Sequence, residues 1–175
     1  MTCTWITSDT HFGHAGICKF LRDDGTKVRP WDDPEEMTEA LVENWNRVVG
    51  PKDRVYHLGD VVINRRYLKV LERLNGRKKL IRGNHDLFKL ADYAPYFDDI
   101  LGCWPLDNLM MTHIPIHEDS FGGRIRGNAH GHLHWRVVGD PRYFNCCVEH
   151  TNYTPINFEE VRKYYDREFP GMLQT

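Results

Sequence analysis

Thr4-Trp5-Ile6-Thr7-Ser8-Asp9-Thr10-His11 decides the fold. It is a short strand-like run that gives way at once to an acid and an imidazole. The same form returns twice: Arg54-Val55-Tyr56-His57-Leu58 runs into Gly59-Asp60, and Lys79-Leu80-Ile81 runs into Gly83-Asn84-His85-Asp86. A helix fits between the first two runs. Asp33 is its candidate N-cap, Pro34 suits its first position and Glu36 completes a capping box. Met37, Leu41, Trp45 and Val48 then recur at helical spacing, and Gly50-Pro51 stops it. Between the second and third runs, Tyr67, Leu68, Val70, Leu71 and Leu74 predict a second amphipathic helix, stopped by Asn75-Gly76. Strand alternating with helix predicts parallel strands joined by crossover helices.

Beyond the third run the rhythm changes. A short helix is expected near Leu87 to Tyr93. Ile100-Leu101, Leu109 to His113, Asn128 to His130 and Tyr143 to Val148 then read as strands joined by turns, which predicts a further sheet with antiparallel pairing. Asn157 and Glu160 form a second capping box, opening a final helix with Phe158, Val161 and Tyr164 or Tyr165 on one side. There is no internal repeat, low-complexity stretch or linker. At 175 residues, against a typical domain of roughly 100–200, residues 1–175 read as one domain.

Composition limits the function. The chain has 23 basic and 25 acidic residues, a net charge of −2. That is too close to neutral to hold a long nucleic acid by bulk charge, but it leaves room for a small phosphorylated substrate, which needs only a local positive site. No apolar run approaches the roughly 18 residues of a membrane span. Ser8, Asp9 and His11 arrive too early for a signal peptide, so the sequence predicts an intracellular, cytoplasmic protein. Five cysteines in irregular spacing argue against a disulfide framework. Cys3, Cys146 and Cys147 read as small buried hydrophobes. A structural metal at Cys146, Cys147 and His150 ranks below that, because adjacent side chains on a strand face opposite ways.

Ten histidines are the compositional oddity, and most lie at or just past the ends of apolar runs. Ligands of open α/β sheets bind beyond the carboxyl ends of strands, where short loops bring side chains together. Asp9 and His11 are two residues apart, as are His132 and His134, so each pair can aim at one site from an extended segment. Asp9, His11, Asp60, Asn84, His113, His132 and His134 are too many donors for one tetrahedral ion. They suit two metals sharing a ligand, and their imidazole, carboxylate and amide chemistry favours Mn, Fe or Zn over a thiolate site. Gly59 and Gly83 let the backbone turn sharply beside a ligand.

Taken together, Asp9-x-His11, Gly59-Asp60, Gly83-Asn84-His85-Asp86, the lone His113 and Gly131-His132-x-His134 resemble, in order, the five motifs of the calcineurin-like metallophosphoesterases. The strings Ser8 to His14 and His57 to Asp60 resemble small single-domain bacterial and phage members of that family. The resemblance implies a four-layer α/β/β/α sandwich of two mixed sheets flanked by helices. It implies two divalent ions, Mn first, with Fe, Zn, Ni or Co as alternatives. Asp9, His11 and His134 would hold one, Asn84, His113 and His132 the other, with Asp60 bridging. The implied reaction is attack on phosphorus by a hydroxide held between the metals, with His85 as proton donor or charge stabiliser. The implied substrate is a small phosphomonoester or phosphodiester, nucleotides included. A nuclease with the same chemistry and a non-catalytic scaffold are the alternatives. Asp86 either supports His85 or caps the following helix. Ile63 and Asn64 stand where the protein-phosphatase branch has an acid and an arginine, which argues against a Ser/Thr protein phosphatase and leaves the orientation of His85 unexplained.

Other residues carry weaker signals. His14 either contacts substrate or is an ordinary loop residue. His57 reads as a satisfied core histidine ahead of a residue orienting a ligand, and His130 as structural or orienting; His117 and His150 read as surface residues. Arg65, with Arg66 beside it, and Arg124 with Arg126 are candidate phosphate clamps, weighed against solvated surface arginines. Residues 21–33 read as an exposed excursion. With 117–127 they are the candidate rim of the pocket.

Overall fold

A computed structural model of the chain describes residues 2–170. The three opening runs form β1 (Thr4–Thr7), β2 (Arg54–His57) and β3 (Arg77–Ile81), joined in parallel. β4 (Asp99–Leu101) adds in parallel beyond β3, and β9 (Ile156–Asn157) closes the other edge antiparallel to β1. The first sheet therefore runs β4-β3-β2-β1-β9. Two crossovers cover one face. The first is α1 (Pro34–Val48), with Asp33 accepting a hydrogen bond from the Glu35 amide; that single bond stands in place of the full capping box. The second, expected as an α-helix, is a 3-10 helix at Arg65–Arg73. Packing holds it: Tyr67 lies so close over Gly13 that a Cβ there would meet its ring at 2.1 Å, and its hydroxyl bonds Glu35. α2 (Leu90–Tyr93) is a single turn.

The second sheet is β5 (Trp104–Leu106), β6 (Leu109–Met111), β7 (Gly127–His130) and β8 (Tyr143–Asn145), in that order. Only β5 and β6 are antiparallel; β6, β7 and β8 run parallel, against the expectation of antiparallel pairing. Connection length explains this. Asp107 and Asn108, both with positive φ, make a two-residue hairpin turn. The stretches 112–126 and 131–142 are long enough to carry the chain back to the starting edge. β8 also ends earlier than expected. Past Asn145 the chain leaves the sheet, and Cys147 bridges to Ser8 beyond β1.

Side chains alternate across the first sheet. Val55 and Leu80 face the helices, in a core with Met37, Leu41, Trp45 and Leu71. Ile6, Tyr56 and Ile81 face the second sheet, in a core with Leu109, Met111 and Ala129. α3 (Phe158–Glu168) adds Phe158, Val161 and Tyr165 to that second core. Asn157 caps it through the Glu159 amide, again as one bond rather than a box. The result is two mixed sheets flanked by helices, the α/β/β/α arrangement that the motifs implied. Residues 21–27 are exposed as expected, but Val28 and Arg29 are buried. Among the described residues no helix is long and apolar enough to cross a membrane.

Candidate metal centre

The strand-end residues converge. Asp9, His11 and His134 present donor atoms within 4.8 Å of one another, and so do Asp9, Asp60 and His113. Asn84 joins the second group, its Oδ1 2.9 Å from His113 Nε2. The His132 ring stands beside that of His113, with centroids 5.1 Å apart. The groups share Asp9, and Asp60 also spans them: its Oδ2 lies 3.6 Å from His11 Nε2 and 3.4 Å from His113 Nε2.

Close backbone approach makes this possible. A Cβ on Gly83 would sit 2.2 Å from Asp60 Oδ1, and one on Gly131 would sit 2.4 Å from Asp9 Oδ2. Asp9, His11, Asp60, His132 and His134 all have positive φ, between 48° and 69°. The left-handed turn swings each side chain out of the strand line toward the others.

Hydrogen bonds leave particular atoms free. Asp9 Oδ2 accepts from Ser8 Oγ, from the His132 amide at 2.9 Å and from Cys147 Sγ at 3.2 Å. Asp9 Oδ1, 3.8 Å from His11 Nε2, is buried without a hydrogen-bond partner, and both ring nitrogens of His11 are likewise unpartnered. Buried orphans of this kind are costly, and a cation among them offsets the cost. Burial, helped by the Arg29 charge, pulls the His11 pKa well below its ordinary value, so the ring is neutral with a lone pair to offer. Burial raises the Asp9 pKa against the lowering effect of His113 and His134. A bound dication would favour the ionised form. Burial also opposes charge on Asp60, but the His113 hydrogen bond and charge outweigh it and hold the carboxyl below its usual range.

Two imidazoles have fixed tautomers. His113 Nδ1 is 2.8 Å from the Leu58 carbonyl and so carries a proton, and Nε2 faces Asp60, donating to the carboxylate when protonated and offering its lone pair to a cation when not. His134 Nδ1 is 3.1 Å from Glu149 Oε1, leaving Nε2 3.9 Å from Asp9 Oδ1. A carboxylate behind a metal-binding histidine orients the ring and raises its basicity. Glu149 itself is held down to about 2: burial works against its charge, but Arg29 and His134 outweigh it.

The other candidates divide. His85 is exposed, its backbone amide donates to Asp60 Oδ1 at 2.9 Å, and its ring stands 5.7 Å from that of His11. His14 is at the same mouth, its ring 5.6 Å from His11. Asp86 does neither of the two things the sequence left open. Its buried carboxylate accepts from the Asp60, Val61 and Gly83 amides, at 2.8, 3.0 and 2.8 Å, and so staples one ligand loop to the next. This corrects its placement among the catalytic groups. Arg65 is engaged by Asp92. Arg124 and Arg126 are exposed in the 121–126 loop, and the structure brings none of the three arginines into contact with the donors. His117 and His150 are exposed, and the Cys146, Cys147 and His150 grouping does not form among the described residues.

Sequence reasoning missed Ser8, Arg29, Cys147 and Glu149. Arg29 was hidden in a segment that read as solvent loop. Glu149 carried a usable signal, because it follows the apolar run Cys146 to Val148 just as Asp9 and Asp60 follow theirs.

This fold with this donor cluster defines a class of metal-dependent phosphoester hydrolases, and the calcineurin-like phosphoesterase model matches residues 4–165. The chain belongs to that family. It is 33% identical to the uncharacterized protein MJ1445 of Methanocaldococcus jannaschii, over 93% of this chain and 91% of that one. It is 38% identical to the Gene 66 protein of Mycobacterium phage D29, over 79% of this chain and 81% of that one. Among solved structures it resembles AQ665, a protein of unknown function from Aquifex aeolicus, at 25% identity and a TM-score of 0.68, covering 93% of this chain and 99% of that one.

Proposed function

We propose that the chain, read as one domain over residues 1–175, hydrolyses a small phosphomonoester or phosphodiester, nucleotides included, with two divalent cations, Mn first. The observation that carries this reading is the facing pair of buried, unpartnered donors, Asp9 Oδ1 and His11 Nε2, inside two donor groups that share a carboxylate.

Asp9, His11 and His134 would hold one cation, Asn84, His113 and His132 the other, with Asp60 between them. When bound, the pair neutralises phosphoryl charge and makes water a nucleophile near neutral pH. The remaining work belongs to side chains. His85, tethered through its amide to Asp60, is placed to give a proton to the leaving oxygen. This tether holds the His85 backbone beside Asp60, while the ring itself stands exposed at the mouth of the centre. His14, at the same mouth, is placed to meet the substrate. Arg124 and Arg126 are open to a phosphate, whereas Arg65 would first have to leave Asp92.

The test is a metal-content assay followed by turnover of p-nitrophenyl phosphate and bis-p-nitrophenyl phosphate, after chelation and reloading with Mn, Fe, Zn, Ni or Co. Asp60→Asn should cost roughly 10²–10³-fold in kcat, the scale for removing one preorganised charge-stabilising group, with the circular dichroism spectrum unchanged. Full turnover by that variant with metal present rules the assignment out.

A further inference from the structure

Arg29 and Glu149 are far apart in sequence and meet behind one half of the centre. Glu149 Oε1 accepts from Arg29 Nε at 2.8 Å and pairs with the Nη2 charge at 2.8 Å, and the same oxygen is 3.1 Å from His134 Nδ1. Both side chains of the ion pair are fully buried. The guanidinium also donates to the carbonyls of Asp9 and Thr10, the latter at 2.8 Å. Those carbonyls lie where the chain turns left-handed, and the arginine satisfies them. One side chain therefore fixes the backbone that carries Asp9 and, through Glu149, the ring of His134.

The other half of the centre is braced differently. His113 leans on the Leu58 carbonyl, and the Asp60 loop is stapled by Asp86. Among the described residues no buried arginine–carboxylate pair stands behind that half; its buried pair is between two of the donors themselves, His113 and Asp60.

We infer that Arg29 and Glu149 are positioning residues first for the Asp9, His11 and His134 position, because His134 belongs to that position and not to the other, so that this cation site depends on them more than its neighbour does. The inference rests on the dimetal reading above. Charge explains the selectivity. With Glu149 ionised the pair is neutral overall and a dication can sit in front of it. Glu149→Gln keeps the side chain's size but leaves the arginine as an uncompensated buried cation behind that dication, and Coulomb repulsion in a buried site is large. Losing the carboxylate also loosens the His134 ring.

The experiment is Mn titration of the chelated full chain, followed by calorimetry and by the electron paramagnetic resonance signal of spin-coupled Mn pairs. Wild type should take two equivalents and show the coupled signal. Glu149→Gln should keep one affinity near wild type, weaken the other roughly 10–100-fold, the range for removing a group behind a metal-binding histidine, and show isolated Mn at one equivalent. Arg29→Lys, which retains the charge without the fork, should fall between. Unfolding midpoints in chelator identify any variant that merely fails to fold, and Arg29→Lys then carries the comparison. Two unchanged affinities in the folded variants overturn this inference while leaving the dimetal reading standing; equal weakening of both sites overturns it too. A wild type that takes up no pair of cations overturns both.

Discussion

Asp9 carries its information in the difference between its two oxygens. One takes a hydroxyl, an amide and a thiol; the other takes nothing. The residue types at the strand ends and their order were legible, because an acid or imidazole directly after an apolar run is rare enough to stand out. The backbone state was not legible. Five of the seven candidate ligands adopt φ values that non-glycine residues ordinarily avoid, a cost of roughly 1–3 kcal/mol each, and no local propensity announces it. His57 shows the reverse. It read as a satisfied core histidine, and it is one: Nδ1 accepts from the Gly59 amide at 3.2 Å, and Nε2 is 2.9 Å from Thr10 Oγ1. Burial drives its pKa down to about 3. The unfolded chain, with an ordinary histidine near 6.5, therefore binds the proton first. The stability His57 provides is complete above pH 6.5 and is lost, with the slope of one proton, as pH falls from 6.5 toward 3. Urea midpoints of the chelated protein between pH 7 and 5 should fall more steeply for wild type than for His57→Gln. Parallel curves would show that His57 takes up its proton equally in both states.

Elements with a strong local signal formed where the sequence placed them. α1 is the clearest case, with Asp33 before Pro34 and a buried stripe of Met37, Leu41 and Trp45. Asp33→Ala removes the bond to the Glu35 amide and should cost about 1 kcal/mol, read as a lower urea midpoint at unchanged slope. A midpoint unchanged from wild type would mean that Pro34 and packing alone hold that end. Elements whose form depends on distant partners were less legible. The 65–73 segment has a helical apolar pattern, but it forms as a 3-10 helix, with Tyr67 packed over Gly13 and bonded to Glu35. The parallel second sheet follows from connection lengths that only matter once neighbours are known. Residues 28–29 look like the rest of an exposed loop until Asp9, Thr10 and Glu149 surround the guanidinium.

At the scale of the whole molecule, the centre lies where the carboxyl ends of both sheets meet, so the two cores and the donor cluster depend on one another. Cations that bind only the folded chain stabilise it by mass action. The metal-loaded protein should melt above the chelated one, by the equivalent of about 3 kcal/mol at a hundredfold excess of ion over Kd, and the gain should shrink in Asp60→Asn. A melting curve indifferent to chelator and to added Mn would separate the cluster from the stability of the fold.

The seam in which Cys147 bridges Ser8, and the Val148 amide bonds the Ser8 carbonyl at 3.2 Å, sets an order of events during synthesis. A ribosome delivers Asp9 and His11 early, and they must wait for His134 and Glu149 before their pocket can exist. The Asp9, His11 and His134 grouping therefore closes only after the later stretch has been made and has joined this seam.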